Sequence, residues 1–134
     1  MANDFTFKVA LISNNQDQVS EIYEGELKVS QFRERFIKRT LSIEQQLKKA
    51  GEKKTPHNAA PDEEGRAITH ILMIHEGGVS IGVGKELRQK YFGKDWLICF
   101  TDQKGKGHCS RVGSDGCDRT YFRVSGHIQK DELQ

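Results

Sequence analysis

His108 stands among Lys104, Lys106, Arg111, Arg119 and Arg123, with Tyr121 and Phe122 interleaved. An imidazole titrates near neutrality and moves a proton in either direction. Guanidinium groups pair with phosphate or carboxylate oxygens and neutralise charge that develops on them. Together these groups could hydrolyse a phosphodiester, with His108 as general base or acid and Arg111, Arg119 or Arg123 stabilising the developing charge. Without proton transfer, Lys104, Lys106, Arg111, Arg119, Tyr121 and Arg123 would form a binding surface for an anionic group, diluted by Asp102, Asp115 and Asp118. No acid, base and nucleophile set converges at readable spacing. The first expectation is therefore a non-catalytic binding protein of the adaptor or inhibitor kind. Its expected partner is another protein, with nucleic acid as the second candidate. The alternative is a small ribonuclease-like phosphodiester hydrolase built on His108 and the nearby arginines.

Other constellations carry less. Cys109 and Cys117 are seven residues apart in gap length and no Cys-x-x-Cys is present, so no metal site is expected, and no cofactor. Gly78 to Glu86 suggests a phosphate-binding loop. However, five residues rather than four separate Gly78 from Gly84-Lys85, and Glu86 stands where a magnesium-binding hydroxyl is needed. His70 and His75 lie five residues apart in an apolar run, which puts them on opposite faces of a strand. The segment Asp95 to Asp102 is similar to the C-terminal strand of the small bacterial ribonucleases. His108 falls several residues later than the histidine of that pattern, and no upstream Glu and Arg pair stands in matching order, so the segment assigns no family.

These side chains need elements to position them. Phe5, Phe7, Val9 and Leu11 alternate with Thr6, Lys8 and Ala10, and a turn at Asn14 to Gln18 leads into Val19 to Leu27, a β-hairpin. Val29, Phe32, Phe36, Ile43 and Leu47 recur at helical spacing. Ser42 to Gln45 has the capping-box form, and the pattern predicts one long amphipathic helix or two short ones ending at Gly51. Residues 52 to 66 hold both prolines and little to bury, which predicts a long mobile loop. Ala67 to His75 reads as a central strand, with a hairpin turn at Glu76-Gly77-Gly78 into Val79 to Val83. Gly84 to Phe92 reads as a helix stopped by Gly93. Three more strands are expected at Asp95 to Thr101, His108 to Val112 and Thr120 to Ile128, joined by turns at 102–107 and 113–116.

The predicted fold is α+β: a mostly antiparallel sheet with one or two amphipathic helices packed on one face. At 134 residues, residues 1 to 134 form one expected domain, because neither half about the loop would bury much alone. The formal charge of +2 is too mild to demand nucleic acid, so any electrostatic argument is local. The stretch Met1 to Asp4 lacks the features of a leader and no apolar run reaches bilayer length, so a cytoplasmic protein with no membrane partner is expected.

Overall fold

The computed structural model describes residues 5–133. Met1 to Asp4, on which the leader reading drew, and Gln134 lie outside them. Among the described residues 59 % are strand and one short α-helix is present, so the α+β expectation holds only broadly. The strands are β1 (Thr6–Asn14), β2 (Ser20–Lys28), β3 (Thr40–Lys48), β4 (Lys53–His57), β5 (Ile68–Val83), β6 (Arg88–Phe92), β7 (Trp96–Phe100) and β8 (His108–Ser125). The helix α1 covers Val29–Arg35, and a 3-10 turn follows at Ile37–Arg39. The main path of the sheet runs β2-β1-β7-β5-β8-β3, with β4 added to β8 and β6 to β5. Most pairs are antiparallel, but β1 and β7 are parallel, so the sheet is mixed. No helix among the described residues is long and apolar enough to cross a membrane.

Three expected elements change character. The helix expected across Val29 to Leu47 stops early, and from Thr40 the chain is strand β3, antiparallel to β8. Ile43 and Leu47 satisfy a helical step of four and also a strand's even spacing. Pairing with the free side of β8 decides between them, because it meets backbone hydrogen-bonding needs along nine residues. Likewise Gly84 to Phe92 is a turn followed by β6, which pairs with Val79 to Val83. The expected loop 52 to 66 contains β4, and beyond it the Asp62 carboxylate accepts backbone N–H bonds from Glu64 and Arg66.

The expected hairpin turns at 76–78 and 113–116 are absent. The chain runs through both, making β5 sixteen residues long and β8 eighteen. Their register shifts between Ile74 and Glu76 and again between Gly77 and Val79. Such bulges bend and twist a ribbon, and glycine serves them as it serves turns. At Gly77, with φ of +72°, a Cβ would overlap the Gly116 carbonyl of the neighbouring strand.

The sheet separates two clusters. On one face α1 seats Phe32 and Phe36 against Val9, Leu11, Ile71, Leu97, Phe122 and Val124, and Ile128 and Leu133 complete the layer. On the other, Ala10, Ile12, Leu72, Ile98 and Phe100 meet Val79, Ile81, Phe92 and Val112. The two ends of the β5–β8 ribbon thus contribute to one cluster, the bend at the bulges having brought them together.

A histidine-lined cavity with a buried carboxylate

The second face carries a partly open cavity of about 330 Å³. Leu72, Val79, Ile81 and Phe100 make its apolar part. Polar groups reach it from β3 (Gln46), β4 (Lys54, His57), β5 (His70) and β8 (His108, Ser110, Arg119, Tyr121). Three of the chain's five histidines share this space.

His108 is 4 % exposed and Asp102 fully buried. The His108 Nδ1 lies 2.7 Å from Asp102 Oδ2, which also accepts a 2.7 Å hydrogen bond from the Ser20 hydroxyl. A carboxylate only accepts, so the pair places a proton on Nδ1 and directs Nε2 away from Asp102. Among the described residues no group bonds Nε2, and it is not a buried orphan, so it is left to the cavity that His108 lines. Phe100 stacks on the ring at 4.4 Å between centroids and fixes its plane. The second carboxylate oxygen, Asp102 Oδ1, is buried with no partner among the described residues.

The His57 ring sits 4.4 Å from that of His108, on strand β4, where the two residues are register partners. Its Nδ1 lies 2.8 Å from the Thr55 carbonyl, so Nδ1 donates and Nε2 carries the lone pair. Burial lowers the His57 pKa, and the neighbouring His108 and Lys54 act in the same direction. At Gly107, with φ of +76°, a Cβ would overlap the His57 carbonyl oxygen, so the close approach of β4 to the start of β8 requires glycine there.

His70 is fixed from both sides. Its Nε2 lies 2.7 Å from the Ala60 carbonyl and its Nδ1 2.6 Å from the Tyr121 hydroxyl. The carbonyl must accept, so Nε2 carries the proton and the tyrosine donates to Nδ1. Burial lowers the His70 pKa and raises that of Tyr121, which keeps both neutral. His75 faces the other way, bonded at 2.6 Å to Thr120, as the five-residue spacing requires.

Arg119 brings the positive charge. Its Nε donates a 3.0 Å bond to Gln46 Oε1, which orients the guanidinium, and burial pulls its pKa down from the usual arginine value. Arg123, four residues on, projects from the same face, held by Ser42 at 2.9 Å and Glu63 at 3.5 Å, but does not line the cavity. Arg111 follows Ser110, which lines the cavity, and so projects to the opposite side. Lys104 and Lys106 are exposed at the tip of the connection between β7 and β8. Of the cations and aromatics singled out in the sequence, the fold therefore joins Arg119 and Tyr121 to His108, sets Arg123 beside them, and leaves Lys104, Lys106 and Arg111 apart. It adds Asp102, His57, Lys54 and Gln46, which sequence reasoning did not assign to a site. His57, His70 and His108 lie far apart in the chain, so no local signal grouped them.

The cysteines do not assemble. Cys99 lies in the cluster under α1 and Cys117 in the one around the cavity, with the sheet between them. Burial pushes both thiols up and keeps them protonated. Among the described residues no three His, Cys, Asp or Glu side chains are grouped to hold a metal ion.

Fold and site together define a small mixed-sheet domain with an Asp–His pair opening on a partly open cationic cavity. No family model, curated protein or solved structure matches the chain, so the functional reading rests on the cavity.

Proposed function

We propose that the cavity is a general acid–base site for phosphodiester cleavage. The observation that carries this reading is the His108–Asp102 pair, with one imidazole nitrogen clamped by a buried carboxylate and the other left to a cavity that also holds Arg119 and a second imidazole. His57, kept neutral by burial, takes the proton from the attacking oxygen. His108, as an imidazolium whose Nδ1–H is held by Asp102, gives its Nε2 proton to the leaving oxygen and is left neutral. Arg119 and Lys54 neutralise the non-bridging oxygens as charge builds. The apolar wall of Leu72, Ile81 and Phe100 lowers the dielectric on one side of the site and strengthens these interactions. The test is cleavage of RNA and DNA by the purified protein across pH, with His108→Gln and His57→Gln alongside. A bell-shaped profile lost in both variants is expected, each falling by ~10²–10⁴. Absence of cleavage of either polymer, or variants as active as the parent, overturns the reading.

A second reading, a non-catalytic binding protein, is favoured by one observation. Arg119, Tyr121 and Arg123 alternate along β8 and form a row on one face. Such a row suits an anionic macromolecule, and it does not need His108. Replacing Arg119 and Arg123 by Glu would then weaken binding to a captured partner while His108→Gln leaves it intact. The opposite pattern favours the catalytic reading.

A further inference from the structure

The two edges of the main sheet differ in a way that bears on assembly. At one end β2 presents Glu21, Glu24, Glu26 and Lys28, charges of the kind that keep an edge from pairing with another chain. At the other end β3 is nine residues long, has no proline and pairs among the described residues only with β8. Beyond a bulge between Thr40 and Ser42, its outer side makes no backbone bond among the described residues. On the α1 face of β3, Ile43 is 66 % exposed and Leu47 75 %, and neither is reached by the helix that covers Phe122 next door.

We propose that β3 pairs antiparallel with β3 of a second copy of this chain, about a two-fold axis at Gln45. The strand's own sequence selects both partner and register. With Gln45 opposite Gln45, Ile43 of each copy faces Leu47 of the other on one face, and Glu44 faces Gln46 on the other face, with Ser42 opposite Lys48. Opposed apolar side chains stabilise a strand pair and opposed like charges weaken it. Sliding the pairing by two residues one way sets Glu44 against Glu44, and the other way sets Ile43 against Lys49. A one-residue slip would put apolar side chains opposite polar ones on the wrong face. Pairing β3 with β2 instead would be heterologous and would meet the carboxylates of that edge, whereas the β3 pair closes on itself. The product is one continuous sheet carrying two cavities on the same face. The second copy's Glu44 lies opposite Gln46, the residue that orients Arg119.

The experiment is sedimentation of the full chain together with oxidative cross-linking of Gln45→Cys. Cys99, Cys109 and Cys117 are all buried, so the parent under the same oxidation is the control for background linkage. The parent is expected to sediment at twice the chain mass. Gln45→Cys is expected to form a covalent dimer readily, because directly opposed residues place their Cβ atoms within disulfide reach. Ile43→Glu with Leu47→Glu sets carboxylates opposite each other and should weaken the dimer at least about tenfold, with circular dichroism unchanged. A parent that stays monomeric at high concentration overturns the proposal, as does a dimer that Gln45→Cys fails to link. A dimer that survives the double substitution, or a monomer that uses Ile43 and Leu47 for a different protein, overturns it equally.

Discussion

Replacing Asp102 by Ala separates the stabilising role of the carboxylate from its role in proton transfer. The substitution leaves two donors without an acceptor, the Ser20 hydroxyl and the His108 Nδ1–H, both on residues less than one-twentieth exposed. Each buried donor left unpaired costs about 1–3 kcal/mol. The side chain is small, so the space it vacates adds little. Against this, the parent buries a carboxylate whose Oδ1 has no partner, a burden that the substitution removes. The net expected loss is roughly 2–4 kcal/mol. Asp102→Asn keeps one acceptor at the Oδ2 position, and its loss should be smaller, about 1–2 kcal/mol, since hydrogen bonds to a neutral oxygen are weaker than charge-assisted ones. Urea unfolding at constant m-value measures both. Cleavage should not follow the same order. Under the proposed mechanism it depends on the negative charge behind His108, so Asn is expected to lose as much activity as Ala, ~10²–10⁴. A stability change within about 0.5 kcal/mol for Ala would refute the reasoning about the clamp. Full activity in the Asn variant would refute the role given to the charge.

Gly107→Ala should destabilise the fold by more than about 1 kcal/mol and displace β4, because the φ is positive and the new Cβ would overlap His57; an unchanged melting temperature would show that the loop yields freely. Tyr121→Phe removes the donor to His70 Nδ1 and should cost about 1 kcal/mol in urea unfolding, with no change expected in His70→Phe/Tyr121→Phe relative to His70→Phe alone. Acid should weaken the protein. His57, His70 and His127 all have pKa values lowered mainly by burial, so the unfolded chain binds more protons than the folded one. Their contribution is fully present above the unperturbed value of about 6.5 and is lost as pH falls through the folded-state values. A melting temperature that does not decline below that pH, or a His70→Gln variant with the same pH slope as the parent, would contradict this. Amide exchange should find β4 protected through its pairing with β8, in contrast to the mobility expected of the whole 52–66 segment from composition.

Local alternation marked β1, and short apolar runs marked β7 and the first half of β5, because a strand buried on both faces reads as a continuous run rather than an alternation. It was also enough to put His70 and His75 on opposite faces and Arg119 and Arg123 on the same one, since these follow from the two-residue repeat alone. The sequence likewise singled out His108 as the group able to move a proton. Where a pattern served two structures, only packing chose. The residues Ile43 and Leu47 fit a helix or a strand until the open side of β8 claims them. The glycines at 77, 78, 113 and 116 fit a turn or a bulge, and the outcome depends on whether the neighbouring strand continues alongside. That choice decided the site. With hairpin turns at those glycines, His70, Tyr121, His108 and Ser110 would be spread along separate ribbons. With bulges, the ribbon bends and brings both its ends around one cavity. Asp102 reads from composition as a charge that dilutes a cationic segment. Burial turns it into the clamp of His108, because a carboxylate withdrawn from water must be met by donors, and the fold supplies Ser20 from β2 and the imidazole six residues downstream.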